Sequence, residues 1–490
     1  MSPFEITVLI TIIILVVYAV HGFLHYDRYS TSESFFLNNR NLSLSNIRNT
    51  FIGASISIST VLMFFLTIGI NFGWYILISP VTLAIGVLVF SRYIYPALIK
   101  DKELHNALKG NSKINITSLT DLINYLYGSK LISIIVTTIS AIGVLSILIA
   151  EMMVGVTIYE QYFLKPEYIL LLIAITLFLY AGLGGMRSVV ATDKWQIGFI
   201  IISLIGIISA LILDLYVSPN TVAPILLDWS PKMNMPIALI ANILIVNLCF
   251  LPSSIRVWQV VVASSKTKKF NKALWHSTII ILFITLSALF ISKGVSIISG
   301  ESNIALHSIF NYLVTNTKTW VKYIVYPLFI AGLLSALIST ADSAILPLAQ
   351  SLTGMRKQKF NILFNALIIF ILLIIVIISY FIITRYFNMG VISWILTVFS
   401  ISTGITPIII IPLLFKQHNL QKTKKIIIAI GAILSFFIPL LWSIKFKDNF
   451  SIQPWNCVIG FSISMVLTSI AFYKEILNKL KTCVTKYTME

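Results

Sequence analysis

The sequence predicts an all-α protein that crosses a membrane many times, and two features of its 490 residues support this class. Hydrophobic residues make up 58% of the chain and charged residues 11%, with a mean hydropathy of +0.95. Soluble domains are about 45–50% apolar and about 25% charged. Apolar runs of about 20 residues, the length that a bilayer-spanning helix needs, also recur from end to end. We therefore expect one membrane-embedded domain over residues 1–490.

Thirteen runs meet the length criterion if the adjoining runs 166–185 and 189–214 are counted separately, and that pair can be argued either way. The runs are 4–24, 48–69, 73–98, 131–158, 166–185, 189–214, 236–263, 273–298, 322–353, 360–384, 388–415, 424–444 and 455–473. The first run has no basic leader and no small-residue cleavage site, so we expect a retained helix and not a signal peptide.

The basic residues predict the orientation of these runs. Most of them follow odd-numbered runs, as in the cluster Lys266, Lys268, Lys269 and Lys272 after the seventh run. Because cytoplasmic loops are enriched in Lys and Arg, this alternation predicts an external amino terminus and a cytoplasmic carboxyl terminus. It also accounts for the formal net charge of +18 without a nucleic-acid partner.

The titratable side chains do not indicate an enzyme. The six histidines are scattered, and Cys, Ser, His and Asp make no arrangement that would activate a nucleophile. Cys249, Cys457 and Cys483 are odd in number and lack metal-ligand spacing, so we predict neither a disulfide framework nor a zinc site.

Polar residues inside apolar runs are candidates for a binding site, because each unsatisfied polar group in hydrocarbon costs several kcal/mol. Residues 53–60 of the second run, GASISIST, carry four hydroxyls within six residues. These hydroxyls could serve ordinary helix packing by small residues. Alternatively, they could mark a locally opened helix whose carbonyls bind a cation.

A second polar cluster is the segment SALISTADS at 335–343 in the ninth run. Helical spacing places four of its residues on one stripe: Ala336, Ser339, Thr340 and Ser343. Asp342 lies one turn from Ser339. Hydroxyl, carbonyl and carboxylate oxygens are hard ligands, so this stripe suits a hard cation better than a soft metal.

Two further segments interrupt apolar runs. At 182–196 a glycine pair breaks the helix, and the next run opens with Thr192 and Asp193, which could be a helix cap or part of a functional site. In the seventh run Pro252 removes a helical hydrogen bond, and the serines that follow can satisfy the loosened backbone. Interrupted helices at corresponding positions of two halves are typical of transporter binding sites.

Three segments give the chain a resemblance to the sodium:solute symporter family, which includes bacterial proline, pantothenate, sialic acid and galactose symporters. Residues 32–42 (SESFFLNNRNL) are similar to the family segment after its extra first helix, with Asn38 and Asn39 in place of the usual glycines. Asn tolerates the left-handed backbone almost as well as Gly. Residues 180–196 and the STADS segment at 339–343 are similar to two further family signatures.

The resemblance implies the leucine-transporter fold, with two inverted five-helix repeats. The implied boundaries are 4–24 for a leading helix, 46–215 and 236–416 for the repeats, 424–473 for two trailing helices and 474–490 for a cytoplasmic tail. It also implies a sodium-coupled symporter of the bacterial inner membrane that imports a small polar organic solute by alternating access. Na⁺ would be the coupling ion, with no other cofactor and no obligate protein partner. The alternatives are a proton-coupled symporter of the same fold and a non-transporting membrane solute sensor.

The resemblance also implies two cation-binding sites in this chain. The main sodium site is implied to consist of the carbonyls of Ile58, Val61 and Ala336 and the hydroxyls of Ser339 and Thr340. A second cation, or a proton, is implied at Asp193, Asp342 and Ser343. Certain members carry Asp or Asn where Thr60 stands, so a polar contact found there is expected to differ.

The substrate is expected near the bilayer midplane, between the second, fourth, seventh and eleventh runs. The expected lining residues are Phe65, Glu151, Asn247, Ser253, Ser254 and Gln259. Glu151 could instead be a buried acid bonded to a neighbouring tyrosine or backbone group. If it faces the cavity, it would favour a substrate with an amine.

Overall fold

The computed structural model describes residues 2–24, 31–112, 114–160, 165–216, 233–267, 269–299, 306–353, 362–415 and 420–478. Its regular elements in these ranges are all helical, which confirms the all-α class. The α-helices are α1 Pro3–Leu24, α2 Ser32–Leu37, α3 Leu44–Ser55, α4 Ile78–Val89, α5 Tyr95–Lys100, α6 Lys102–Lys109, α7 Leu119–Tyr127, α8 Lys130–Tyr159, α9 Tyr168–Leu177, α10 Leu183–Tyr216, α11 Ile237–Ser253, α12 Ile255–Ala263, α13 Phe270–Ser299, α14 Leu306–Thr315, α15 Tyr326–Thr353, α16 Ile362–Arg385, α17 Val391–Thr403, α18 Thr406–Phe415, α19 Lys422–Lys445 and α20 Trp455–Ala471.

Short π-helical or 3₁₀ segments join several of these helices. The π-helical segments are Ile58–Leu62, Phe64–Ile68, Phe90–Ile94, Phe178–Gly182 and Val321–Val325, and the 3₁₀ segments are Asn38–Arg40 and Gly69–Leu77. They fall where one helix is continued at a changed pitch, and π-helical turns occur frequently at functional sites.

The described residues contain eight helices that are long and apolar enough to cross a membrane, or nine if α11 and α12 form one bent span. Each of the thirteen predicted runs coincides with helical residues in the described part of the chain, but not every run forms one unbroken helix. A break divides several of them. The run 48–69 changes from α-helix to π-helix after Ser55, and the run 388–415 is divided between α17 and α18.

The runs 166–185 and 189–214 lie in one helical stretch of 49 residues, Tyr168–Tyr216. A straight helix of that length would extend about 74 Å, more than twice the roughly 30 Å of a hydrocarbon core. Gly185 divides the stretch, because its φ of 59° and ψ of −153° are not helical. A residue with a side chain rarely adopts this conformation, so the glycine itself is what allows the chain to turn there.

We expect Gly185→Ala to lower the free energy of unfolding by about 2–5 kcal/mol, through backbone strain and overpacking. A Cβ atom at Gly185 would lie 2.6 Å from the carbonyl oxygen of Phe35, which cannot move without α2. The check is thermal unfolding of the detergent-purified variant. Gly206→Ala in the same helix is the control, since its Cβ would meet Val325 at an ordinary 3.6 Å. Equal midpoints for the two variants would contradict the prediction.

The segment 31–42 packs against this glycine turn. Asn38, Asn39 and Arg40 all have positive φ (47°, 54° and 60°), so the two asparagines do adopt the left-handed backbone that glycine usually supplies. The Arg40 side chain is fully buried and donates from Nε to Glu33 at 2.9 Å. Arg187, just after the glycine turn, donates to the Asn38 side chain at 3.3 Å. Two of the three segments that carry the family resemblance therefore contact each other.

The described helices form two compact units that alternate along the chain. The first unit comprises 1–81, 145–235 and 266–395. In it α10 and α15 pack along each other, α1 packs on both, and α3 packs on α10, α13 and α15. Nearly all of α15 is buried, so its polar residues face protein and not lipid. By contrast, α16 exposes many large apolar side chains, as a lipid-facing helix does.

The second unit comprises 82–144, 236–265 and 396–490. Its helices α19 and α20 form an antiparallel pair, and α20 also packs on α11 and α18. The shorter helix α7 contacts α12 and α18. The repeat boundaries 46–215 and 236–416 differ from the bounds of these units and stay a prediction.

Candidate cation-binding site

The second predicted run is broken inside the first unit. Helix α3 ends at Ser55, and Ile56 has a φ of −90° and a ψ of 78°, outside the helical region. The chain resumes as a π-helix at Ile58, where the amides of Val61 and Leu62 both donate to the carbonyl of Ser57 at 3.1 Å. A break of this kind leaves carbonyls at the end of the first half and amides at the start of the second without helical partners.

The carbonyl end of this break faces α15. The Thr340 hydroxyl donates to the carbonyl of Ile56 at 3.1 Å and lies 3.5 Å from the carbonyl of Gly53. Gly53 is also the point of closest approach, since a Cβ atom there would lie 2.2 Å from Ser339 Oγ. Two carbonyls and two hydroxyls therefore converge in a fully buried place.

Asp193 joins this group from α10. Its Oδ2 accepts from the Thr50 hydroxyl at 2.7 Å, and its Oδ1 accepts from the Ser339 hydroxyl at 3.3 Å. Asp193 is fully buried, as is Ser339. One carboxylate thus connects three segments of the first unit through hydroxyl groups, and it places negative charge beside the carbonyl cluster.

Asp342 lies one turn beyond Ser339 and is also fully buried. Its Oδ2 accepts a hydrogen bond from the Tyr180 hydroxyl, and Ser343 donates to the carbonyl of Thr340 at 3.0 Å. Asp342 Oδ1 and both polar atoms of the nearby Gln196 amide are buried and make no hydrogen bond of good geometry with the described residues. Buried polar groups are nearly always satisfied, so this corner suits a small ion, a water molecule or an added proton.

Glu151 of α8 occupies the amide end of the same break. Its Oε1 accepts from the hydroxyl of Ser57, from the hydroxyl of Ser59 at 2.7 Å and from the amide of Ser59 at 3.3 Å. A carboxylate at the start of a helix is stabilised by the free amides and by the helix dipole. The protein therefore supplies its own anion at this helix start, which is the buried-acid alternative for Glu151 with hydroxyl donors in place of a tyrosine.

The structure brings together most of the residues implied for the two cation sites. Ser339 and Asp193 are hydrogen-bonded, and Asp342 and Ser343 follow on the same helix. Ala336 lies one turn before Thr340 and is fully buried. The assignment of carbonyls to Ile58 and Val61 stays a prediction, because no described hydrogen bond joins either residue to Thr340. The observed contacts favour Gly53 and Ile56.

The expected substrate-lining residues fall in both units. In the first, Phe65 is buried and its ring meets that of Phe64 edge to face at 5.5 Å. In the second, Asn247 donates to Thr82 at 2.9 Å, and the carbonyl of Ser253 accepts from Ser140 at 3.0 Å. Gln259 and Ser254 are buried there too. Their role at a substrate stays a prediction.

The sequence interpretation missed three participants. Thr50 lies three residues before Gly53, on the same face of α3, and that spacing could have indicated it. Ile56 could have been identified as the break residue only from its backbone angles. Tyr180 is separated from Asp342 by 162 residues, and no local pattern predicts their contact.

No protein-family model matches the chain, and no curated protein matches its sequence. Solved structures do match its fold. A Na⁺-coupled sialic acid symporter, in a substrate-bound outward-open state, has a TM-score of 0.68 at 13% identity and covers 95% of this chain and 96% of its own. A manganese transporter from Eremococcus coleocola has a TM-score of 0.54 at 13% identity, with 92% and 96% covered.

A third match is Mhp1, a nucleobase-cation-symport-1 family transporter in a closed conformation with bromovinylhydantoin bound. Its TM-score is 0.54 at 13% identity, with 90% of this chain and 94% of that chain covered. At such low identities these likenesses establish the fold alone. The chain therefore has the leucine-transporter fold that these proteins share.

Proposed function

We propose that the protein is a sodium-coupled secondary transporter that imports a small polar organic solute by alternating access. The observation that carries this proposal is the convergence at the break of the second run. There the carbonyls of Gly53 and Ile56 meet the hydroxyl of Thr340, beside Ser339 and Asp193. Oxygen donors of this kind suit a hard cation, and unwound carbonyls at a broken helix bind Na⁺ in transporters of this architecture.

In this proposal the cation binds to the carbonyls at the end of α3 and to the hydroxyls of α15. The donors are Gly53, Ile56, Ala336, Ser339 and Thr340. Thr340 would turn its hydroxyl proton away from the Ile56 carbonyl, so that both oxygens could face the ion. Because α3 and α15 are separate helices, a cation held between them favours the conformation in which they are close. Binding energy can bias a conformational equilibrium in this way only through such differential contacts.

A second cation, or a proton, is proposed at Asp193, Asp342 and Ser343. The support is the pair of fully buried carboxylates and the unsatisfied Asp342 Oδ1 beside Gln196. A shared proton would satisfy the same atoms, so proton coupling is the second candidate function. The proposed location is a bacterial inner membrane, with the carboxyl terminus in the cytoplasm, which the basic clusters after odd-numbered runs support.

We expect Na⁺, compared with K⁺ at equal ionic strength, to raise the thermal unfolding midpoint of the detergent-purified protein. A ligand that binds only the folded state stabilises it by RT ln(1 + [L]/Kd). We expect Thr340→Ala and Ser339→Ala each to require at least about tenfold more Na⁺ for the same shift, equivalent to about 1.4 kcal/mol. Removing either hydroxyl deletes one oxygen donor from the cation.

The matched control is Thr278→Ala, which removes a buried hydroxyl that donates to the carbonyl of Leu274 within α13. It is expected to keep the wild-type response to Na⁺. An unchanged Na⁺ response in both α15 variants would refute the assignment of the cation site. A midpoint that depends on pH and not on Na⁺ would replace sodium by proton coupling, and indifference to both ions would contradict the transport proposal.

A further inference from the structure

Arg256 is the one charged residue of the second unit that is less than a tenth exposed in the described part of the chain. It lies inside the seventh predicted run, on the first turn of α12. A basic side chain at this depth is costly to bury and marks a functional site by default. The sequence predicts a substrate-lining role for its neighbours Ser253, Ser254 and Gln259 but not for Arg256 itself.

The helix break that precedes Arg256 is stabilised by side chains of the second unit. Helices α11 and α12 meet at Ser254 with a bend of 42°. Neighbouring side chains satisfy the carbonyls before the break. The bonds are Trp258 Nε1 to the carbonyl of Pro252 at 2.8 Å, Ser140 Oγ to that of Ser253 at 3.0 Å, and Thr406 Oγ1 to that of Cys249 at 3.2 Å. The carbonyl side of this break therefore needs no cation.

The amide side of the break carries hydrogen-bond donors and a positive charge. The first-turn amides of α12 have no acceptor within their own helix, and the N-cap residue Ser254 makes no capping hydrogen bond. The Ser254 hydroxyl is itself buried with no hydrogen-bond partner among the described residues. The Arg256 guanidinium adds a full charge to the positive end of the helix dipole, and it lies 5.7 Å from the centre of the Phe250 ring.

The two broken helices differ in the sign of the charged side chain that lies at the amide end. At the break of the second run Glu151 binds the hydroxyls of Ser57 and Ser59, so a protein carboxylate already occupies that helix start. At the break of the seventh run the residue on the helix start is a cation, Arg256. An acceptor with one negative charge complements it, and the planar guanidinium matches a carboxylate with two parallel hydrogen bonds.

We propose that the start of α12, with Arg256 and Ser254, binds the carboxylate group of the transported solute. This inference rests on the proposed transport function and names its substrate class as small organic acids. A phosphate monoester carries nearly two charges, which one arginine does not balance, so a carboxylate is the better match.

The test measures thermal stabilisation of the full-length protein by five acids and their five primary amides, at pH 7 in Na⁺. The probes are acetate, lactate, benzoate, N-acetylglycine and gluconate with the corresponding amides. At least one acid is expected to raise the midpoint while its amide does not. In Arg256→Gln the same shift should need at least about a hundredfold more acid, and in Arg256→Lys about tenfold more, because Lys keeps the charge but loses the paired geometry.

Arg385→Gln is the matched control, since it removes an exposed arginine from the end of α16 and is expected to respond as wild type. The Na⁺-induced shift of each variant reports whether its fold is intact. The proposal is overturned if every acid is inert, if amides stabilise as well as their acids, or if Arg256→Gln and Arg256→Lys respond alike.

These outcomes separate the substrate class from the coupling ion. A Na⁺ shift without any acid shift overturns the carboxylate proposal and leaves sodium coupling standing. An acid shift that is equal in Na⁺ and K⁺ supports the carboxylate proposal and contradicts sodium coupling. The comparison of each acid with its amide uses only the wild-type protein, so it decides the substrate class even if Arg256→Gln does not fold, and Arg256→Lys then tests the position.

Discussion

Gly53→Ala is expected to abolish the stabilisation of the protein by Na⁺. A Cβ atom at this position would lie 2.2 Å from Ser339 Oγ and 3.1 Å from Asp193 Oδ1. Since real Cβ contacts are not that short, α3 must move away from α15 or Ser339 must change its rotamer. Either change removes the convergence of carbonyls and hydroxyls on which the proposed cation site depends. Overpacking of this kind also costs about 1–3 kcal/mol of folding free energy.

The measurement is the shift of the thermal midpoint between K⁺ and Na⁺, taken for Gly53→Ala and for Gly198→Ala. Gly198 lies on α10 like Asp193, and a Cβ atom there would meet nothing within 4 Å. Its variant should keep the full Na⁺ shift, and its thermal stability should be equal or slightly higher because Ala favours the helix. A normal Na⁺ response in Gly53→Ala would mean that the ion does not bind at this contact.

Glu151→Ala is expected to lower the free energy of unfolding by about 3–5 kcal/mol. The substitution leaves the hydroxyls of Ser57 and Ser59 and the amide of Ser59 without their common acceptor. Each buried donor left unsatisfied costs about 1–3 kcal/mol. The hydroxyl oxygens of Ser57 and Ser59 are 3.0 Å apart, so these two groups can partly satisfy each other. Truncating the side chain also leaves a cavity in a fully buried place.

Glu151→Gln is the comparison that isolates the charge. The glutamine keeps one acceptor oxygen of the same size, so we expect it to retain more than half of the stability lost in Glu151→Ala. Thermal unfolding of both variants beside the wild type provides the test. If Glu151→Ala unfolds at the wild-type midpoint, then Glu151 does not hold the break of the second run in its observed form.

These two variants probe opposite ends of one break. The carbonyl end, at Gly53 and Ile56, faces hydroxyls of α15 and is the place where a cation can be added. The amide end, at Ser57 and Ser59, is already neutralised by Glu151. A broken helix therefore carries one permanent anion from the protein and one candidate position for a mobile cation. Glu151→Ala should destabilise the protein equally with or without Na⁺, whereas Gly53→Ala should in addition lose the Na⁺ response.

The helical class could be predicted from the sequence with little ambiguity, because hydropathy reports directly on the solvent of each segment. All thirteen apolar runs coincide with helical residues in the structure. The number of spans could not be predicted as well, since hydropathy does not detect where an apolar helix turns. Gly185 and Ile56 show why: each interrupts a helix through its backbone angles, which the mean hydropathy of a run does not record.

The candidate site was only partly predictable for a related reason. The stripe of Ser339, Thr340 and Ser343 is local to one helix, so its spacing alone places these side chains together. The partners of the stripe come from distant segments, as in the contact of Ser339 with Asp193 across 146 positions. The resemblance implied Ile58 and Val61 as carbonyl donors, and the observed contacts of Thr340 favour Gly53 and Ile56, five positions earlier. That difference depends on where α3 ends, which is decided by packing against α15.

The sequence by itself determined that this chain is helical, embedded in a membrane, and polar at a few places within its apolar runs. Those properties follow from the transfer energy of each residue and from helical periodicity, which are local. Only the tertiary structure decided which end of each broken helix the polar groups satisfy. Glu151 accepts from the Ser59 amide at one break, and Ser140 and Thr406 donate to carbonyls at the other. Such pairings are decided by the packing of helices far apart in sequence, because hydrogen bonds and charges act only at contact distance.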